Sequence, residues 1–220
     1  MIPADYVIGF VVIGILVYSV VLHEIAHAVV ADWCGDPTSR RLGRITLDPI
    51  PHIDPVMTIA LPLVLYIVSS GNMVFGGAKP VPINPMNFRQ PKRDMMLVAI
   101  AGPITNVLIA VVLALLINTV PLFGYFNDHA PQLALRIIAQ SVMLNFVLAV
   151  FNMIPIPPLD GSKVLAAFMP NRLAYSYLSI PSSTGILLVM GLVVLGGVRY
   201  IAPVAISATD ILLRTVNFMS

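Results

Sequence analysis

"SVVLHEIAHAVVADW" occupies residues 19–33 and places His23, Glu24 and His27 inside a long apolar run. Ionisable side chains at bilayer depth are costly, so they are seldom found there without a function. Glu24 is the chain's only glutamate, and His23 and His27 are two of its four histidines. The stretch therefore indicates a membrane-embedded helix that carries a functional site.

The composition indicates an all-α polytopic membrane protein. Of 220 residues, 58% are hydrophobic and only 10% are charged, whereas a soluble domain has about 25% charged residues. The mean hydropathy is +0.94. The single cysteine excludes an internal disulfide and most thiolate metal sites, and no basic tract indicates nucleic-acid binding. We expect one domain, residues 1–220, with about four to six membrane segments.

Four apolar segments are long enough to span a bilayer. They predict helices at about 6–30, 95–120 and 137–154 and a C-terminal helix at about 184–201, followed by a weaker, interfacial tail at 205–218. The apolar piece 56–70 is short and contains Pro62, which favours a re-entrant segment. The first run lacks a positive n-region and a cleavage site, so we expect a permanent helix and not a signal peptide.

Two loops, residues 32–55 and 71–94, are rich in glycine and proline and hold short alternating apolar pieces. This pattern predicts extended or β backbone. Both loops carry several Lys and Arg residues, whereas 121–131 carries none. The positive-inside rule therefore places both loops in the cytosol and the N-terminus outside.

The spacing of the two histidines favours a metal site. Positions i and i+4 share one face of a helix, so His23 and His27 can offer two imidazole nitrogens to one zinc ion. Glu24 adjoins the first ligand, where it can act as general base towards a water and then protonate the leaving amine. The alternative is a helix whose polar residues satisfy one another or line a polar cavity.

Asp160 is our candidate for the third ligand, because a catalytic zinc normally takes three protein ligands. It lies in "FNMIPIPPLDGSK" (151–163), where prolines end an apolar helix and Gly161 permits a tight turn. The alternative is a plain "LDG" turn. The amide of Asn152 could stabilise an oxyanion or form an inter-helical hydrogen bond, and its position leaves both roles open.

These motifs resemble the site-2 protease family of intramembrane zinc metalloproteases (peptidase family M50), in its short bacterial form without a PDZ domain. The matching stretches are "HEIAH" (23–27), "AGPITN" (101–106), "NMIPIPPLDG" (152–161), "GRITLDPIPHIDP" (43–55) and "FGGAKPVPINP" (75–85). The resemblance covers residues 8 to about 170. It implies a three-helix catalytic core in a bacterial cell membrane, with the active site towards the cytosol.

The resemblance also implies one zinc ion on His23, His27 and Asp160, with Glu24 as acid and base and Asn152 at the substrate or oxyanion. The implied reaction is hydrolysis of a peptide bond in or near a transmembrane segment of a membrane protein, as in regulated intramembrane proteolysis. Such a substrate must unwind before attack. An extended segment can then add to a strand edge, which we expect in "AKPVPIN" (78–84).

Two rival functions share the same residues. An inactive relative would bind membrane proteins without cutting them, but none of the motif residues is lost here. A metal transporter needs ligands along a path, and the sequence has no second ligand cluster. Among the remaining motif residues, Gly102 is expected to allow close helix packing, and Asn106 is expected to form an inter-helical hydrogen bond. His52 and Asp54 predict a turn with local hydrogen bonds.

Overall fold

The computed structural model describes residues 4–60, 63–64, 67, 76–125 and 130–217, and no strand is found among them. The α-helices whose bounds it gives are α1 (Ala4–Trp33), α2 (Thr38–Arg41), α3 (Pro91–Leu115), α4 (Ala130–Asn152), α5 (Asp160–Phe168), α6 (Asn171–Leu178), α7 (Ser182–Val194) and α8 (Val198–Asn217). Short 3-10 helices cover Ile50–His52, Pro85–Asn87 and Leu116–Tyr125, and a π-helical turn covers Pro55–Ala60.

Three described segments are long and apolar enough to cross a membrane, which confirms the predicted all-α membrane fold. They are Tyr6–Trp33, Pro91–Val120 and Ala130–Asn152. Among the described residues, a fourth crossing is available if α6 and α7, which are bent by 79° relative to each other, form one broken span.

Helices α1, α3 and α4 form the core, and each contacts the other two. Small side chains that are fully buried lie along their contacts, namely Ala28, Ala31, Ala99, Ala110 and Ala114. Lipid tails are as apolar as leucine, so helices in a bilayer associate largely through close packing, which small residues allow. The contacts of His23 and His27 fall on later and earlier residues of α3 respectively, so these two helices are antiparallel.

The C-terminal helices differ from the sequence prediction in their bounds. The helix expected at 184–201 ends at Val194, and α8 begins after Gly196, whose φ of +81° is the left-handed conformation that glycine tolerates best. The tail predicted to be interfacial belongs mostly to α8. There Val216 is buried in a cluster with Ile138 and Val142 of α4.

The loop predicted to be extended at 71–94 is described from residue 76 onward and is irregular up to Asn84. It is tied to the other loop by hydrogen bonds. The Lys79 amide donates to His52 O (2.8 Å), the Arg44 guanidinium donates to Lys79 O (2.7 Å), and Ser39 Oγ donates to Pro82 O (2.5 Å). The two loops therefore form one layer at the cytosol-facing end predicted for the core.

Asp36 is the main anchor of this layer. Its buried carboxylate accepts hydrogen bonds from the amide of Asn84 (2.7 Å), from the side chain of Asn87 (2.8 Å), and from the amide and hydroxyl of Thr38. These four bonds fix the loop immediately beyond α1.

The turn predicted around His52 and Asp54 is present. His52 Nε2 lies 3.2 Å from Thr46 O, and Asp54 Oδ1 accepts the amides of Val56 and Met57. Seven of the fifteen residues of the segment predicted to be re-entrant, 56–70, lie outside the described residues, as do 71–75 and 126–129 of the predicted loops. Their topology stays a prediction.

Candidate metal centre

His23, His27 and Asp160 converge at the end of α1 that adjoins the loop layer. Asp160 Oδ2 lies 3.2 Å from His23 Nε2 and 3.1 Å from His27 Nε2, and the two Nε2 atoms are 3.0 Å apart. All three side chains are buried, with at most 6% of each residue exposed. Within the described residues they are the one group of His, Cys, Asp or Glu side chains that could hold a metal ion.

The outer nitrogen of each imidazole is held by an acceptor. His27 Nδ1 lies 2.6 Å from Val98 O, and His23 Nδ1 lies 2.6 Å from Asn106 Oδ1. A carbonyl oxygen can only accept, so each Nδ1 must carry the proton, and each Nε2 then presents a lone pair to the cluster. Metal-ligating histidines are commonly oriented by such outer partners.

This arrangement requires a cation at its centre. Two neutral Nε2 atoms and a carboxylate offer only lone pairs to one another, so a proton or a metal ion must lie between them. Ligand atoms of a tetrahedral zinc are roughly 3.3 Å apart when the bonds are about 2.0 Å long, close to the three separations found here. The His–His–Asp donor set and its geometry fit a zinc ion.

Gly102 of α3 forms the wall behind the two histidines. A Cβ atom at this position would lie 2.5 Å from His23 Cε1, His23 Nε2 and His27 Nε2. The predicted role of Gly102 in close helix packing is confirmed, and the packing partner is the ligand pair itself. Any side chain here would displace the imidazoles.

Asp160 reaches the cluster because α4 ends at Asn152 and a proline-containing turn leads directly into α5. Gly161 is needed for close approach, since a Cβ there would lie 2.1 Å from Met153 O. The sequence predicted that Gly161 permits a tight turn, but the close approach to Met153 is what requires glycine here. Among the described glycines, left-handed φ values occur at Gly35, Gly43 and Gly196.

The second oxygen of the Asp160 carboxylate, Oδ1, accepts a hydrogen bond from Lys163 Nζ at 3.0 Å. Burial alone would raise the pKa of the Asp160 carboxyl, but the positive charge that the His23 and His27 nitrogens share with it and the Lys163 ammonium lower that pKa well below its usual range. Asp160 is thus an anion at neutral pH, and its Oδ2 faces the two Nε2 atoms.

Glu24 is half-buried beside His23, and the loop layer fixes its carboxylate. Glu24 Oε2 accepts the backbone amide of Val81 at 2.9 Å. One carboxylate oxygen is thereby oriented, and the other can accept a proton. No sequence signal marks this contact, because its donor is a main-chain N–H.

The hydrogen bond of the Asn152 side chain does not involve the three cluster residues. Its side-chain amide donates to Leu148 O at 3.0 Å, within α4. Within the described residues, no hydrogen bond links it to the two histidines or Asp160. One amide hydrogen remains for another acceptor, so the predicted role at the oxyanion stays a prediction.

Asn106 makes two inter-helical hydrogen bonds, where the sequence predicted one. Besides accepting from His23, its amide donates to Asn145 Oδ1 (3.1 Å), and Asn145 in turn donates to Ser141 O (2.9 Å). Sequence reasoning overlooked Asn145. Its signal was a lone amide in the middle of the apolar helix "SVMLNFVLAV" (141–150), since polar residues in such helices usually face a partner.

Comparisons with known proteins identify the family of the chain. The family model described as peptidase family M50 matches residues 11–139 and 123–195. YwhC of Bacillus subtilis (strain 168), a provisionally named zinc metalloprotease, is 37% identical over 70% of this chain and 67% of its own length. Rip2 of Mycolicibacterium smegmatis, named in the same way, is 33% identical over 74% of this chain.

The chain thus spans about two thirds of YwhC, and only 59% of the length of the mycobacterial Rip2 proteins. No solved structure gives a significant match to the chain.

Proposed function

The chain belongs to peptidase family M50, and from this premise we propose that it is a zinc-dependent endopeptidase that cleaves membrane proteins in or near their transmembrane segments. The observation that carries the proposal is a buried His23–His27–Asp160 cluster with Glu24 beside it, on a helix long and apolar enough to span a bilayer. A protease with its centre at that depth is suited to substrates in the same bilayer.

His23, His27 and Asp160 would hold the zinc ion, with Nε2, Nε2 and Oδ2 as the atoms that converge. The names of the relatives YwhC and Rip2 support zinc as the metal. When bound, zinc supplies Lewis-acid polarisation and lowers the pKa of a water molecule. The protein would contribute three ligands, the number of protein ligands that a catalytic zinc normally takes.

Glu24 is the general base and acid. It takes the proton from the attacking water and later delivers it to the nitrogen of the leaving amine, so that one carboxylate serves both half-reactions. The Val81 amide holds Oε2, which restricts rotation of the carboxylate and aims the other oxygen. We assign Asn152 to the substrate carbonyl or the oxyanion, supported by its remaining amide hydrogen.

The substrate enters as an extended chain, because a helix hides its carbonyl groups in its own hydrogen bonds. The segment 78–84 lies next to the catalytic glutamate through Val81. We assign this segment as the edge to which the unwound substrate adds by main-chain hydrogen bonding. Pro80 and Pro82 have no amide donor, and the amides of Lys79, Val81 and Asn84 already donate to His52 O, Glu24 and Asp36. Within this segment, the amides of Ala78 and Ile83 are therefore the donors left for a substrate.

The active site faces the cytosol in this proposal, which rests on the positive charge of both loops. The single cysteine allows a direct test. In a Cys34→Ser, Arg41→Cys variant, the exposed position 41 should react with an impermeant maleimide in inverted vesicles and not in right-side-out ones. Labelling in right-side-out vesicles instead would mean that the loops and the active site face the outside of the cell.

The proteolytic function is tested with ligand variants. Protein reconstituted in vesicles with a reporter transmembrane substrate should cleave it, and His27→Ala and Asp160→Asn should lose both zinc and cleavage. An Asp210→Asn variant, on the exposed face of α8, is the matched control and should retain both. If the ligand variants keep wild-type zinc and activity, the proposed centre is wrong.

A further inference from the structure

Asn106 and Asn145 form a buried amide relay that connects His23 to a main-chain carbonyl of another helix. The relay runs from His23 on α1 through Asn106 on α3 and Asn145 on α4 to Ser141 O. Asn106 is fully buried and Asn145 is 1% exposed. Two amide side chains in the centre of an apolar core are costly unless they are hydrogen-bonded. The bonds of the relay satisfy that requirement and end on a candidate metal ligand, which indicates a role at the site.

The relay has a fixed direction. Ser141 O is a carbonyl, which can only accept, so Asn145 must turn its NH2 group towards it. The Oδ1 atom of Asn145 then faces α3, and Asn106 must donate to it. Asn106 Oδ1 is left facing His23 Nδ1, which must therefore donate.

We infer that Asn106 and Asn145 are positioning residues that set the tautomer of His23 and thereby prepare its Nε2 as a metal ligand. This inference rests on the proposed zinc site. The main-chain carbonyl of Ser141 acts on His23 through two amides, whereas Val98 O acts on His27 directly. Both imidazoles thus carry their proton on Nδ1 and direct an unprotonated Nε2 towards Asp160.

The relay also explains how α4 is coupled to the site at a distance from Asp160. Asn145 has no recorded contact with any of the three ligands within the described residues, yet its amide determines which way Asn106 points. If the amide of Asn145 is removed, Asn106 can rotate and present its NH2 group to His23. That orientation would favour the other tautomer, with the proton on Nε2 and the lone pair directed away from the metal.

The test compares zinc affinity and tautomer in four variants of the full chain in detergent. Asn106→Leu and Asn145→Leu keep the branched shape of the side chain and remove the amides. Loss of an outer hydrogen bond to a ligand typically lowers metal affinity about 10- to 100-fold, and we expect a loss in that range for Asn106→Leu and a smaller one for Asn145→Leu. Asn106→Asp retains the acceptor and should restore most of the affinity.

Ser141→Ala is the matched control, because it keeps the main-chain carbonyl and removes a buried hydroxyl with no recorded partner in the described structure. It should bind zinc as the wild type does. Zinc affinity is measured by competition with a chromophoric chelator, and thermal unfolding verifies that each variant is folded.

Long-range 15N–1H spectra of the metal-free, histidine-labelled protein report the tautomer independently of zinc. We expect His23 Nδ1 to carry a proton in the wild type, in Ser141→Ala and in Asn106→Asp, and to be only partly protonated in Asn106→Leu and Asn145→Leu. Folded leucine variants with wild-type zinc affinity and an unchanged tautomer would overturn the relay.

A wild-type protein that binds no zinc would instead count against the proposed function. The spectra of the metal-free protein would still decide the relay, so the two failures are distinguishable.

Discussion

Replacing Gly102 by alanine should abolish zinc binding, although the same change in an ordinary helix is stabilising. Alanine in a helix interior is favoured over glycine by about 1 kcal/mol. Here, however, the new methyl group would lie 2.5 Å from three ring atoms of His23 and His27. Ordinary contact begins at 3.4 Å, so the rings would have to retreat by the difference, 0.9 Å.

The two imidazoles cannot absorb such a shift without losing the metal. Metal–ligand distances tolerate deviations of about 0.2 Å, and the hydrogen bonds from Nδ1 to Asn106 and to Val98 O prevent the rings from rotating away. A misplacement of about 1 Å at a reacting centre can reduce activity about 100-fold. We expect at least that loss of cleavage for Gly102→Ala, together with loss of bound zinc.

The assay is elemental analysis of zinc and cleavage of a reporter transmembrane substrate on the same purified samples. Gly14→Ala is the control, since it lies on α1 with nothing within 4 Å of the new methyl group, and it should retain both properties. Thermal unfolding establishes that both variants are folded. A Gly102→Ala protein with a full complement of zinc and wild-type cleavage would refute the packing argument.

Three further changes probe the loop layer and the metal. Val81→Pro removes the amide that holds Glu24. It should lower cleavage by up to about 100-fold, the lower end of what a positioned acid–base group contributes, with zinc content unchanged. Loss of zinc would mean that the loop supports the ligands instead. Burial raises the pKa of the Asp36 carboxyl, but four hydrogen bonds, including those from Thr38, Asn87 and Asn84, lower it further than burial raises it. Asp36→Asn should therefore cost about 1–3 kcal/mol at pH 7. A carboxyl whose pKa is lower in the folded state stabilises the fold at pH values above its unfolded-state pKa of about 3.9. The difference in unfolding temperature between wild type and Asp36→Asn should therefore shrink as the pH falls below about 4. A difference that does not depend on pH would contradict the assigned cause. Chelation of zinc should lower the unfolding temperature, because a ligand at 100 times its Kd stabilises a fold by about 2.7 kcal/mol. Added zinc should restore the original unfolding temperature. An unchanged temperature would argue against a metal that links α1 to α5.

The elements of the site that the sequence predicts are those whose chemistry is carried by side chains at fixed spacing. The i, i+4 spacing of His23 and His27 placed two imidazoles on one face. The prolines before Asp160 indicated a helix end, and the topology predicted from the positive loops placed it at the same depth. The apolar runs likewise predicted the three core helices, although α4 begins at Ala130 and not near 137, because Arg136 near its first turns obscured the start of the run.

The contacts that the sequence could not predict involve the main chain or the meeting of distant helices. The acceptor for His27 is Val98 O and the donor to Glu24 is the Val81 amide, and any residue type offers the same groups. Asn145 carried a signal as an isolated amide in an apolar helix, but only the packing of α3 against α4 places it next to Asn106. The break between α7 and α8 at Gly196 was hidden by apolar residues on both sides.

The central claim is that a zinc ion on His23, His27 and Asp160 acts together with Glu24 to hydrolyse peptide bonds. The most direct test is to purify the wild type and Glu24→Gln in parallel, measure zinc per chain, and compare cleavage of a reporter transmembrane substrate in vesicles. Glutamine has nearly the same shape and can still face the Val81 amide, but it cannot take up a proton. We predict about one zinc per chain in both proteins and cleavage by the wild type alone. Full cleavage by Glu24→Gln, or a folded and active wild type without zinc, would contradict the account.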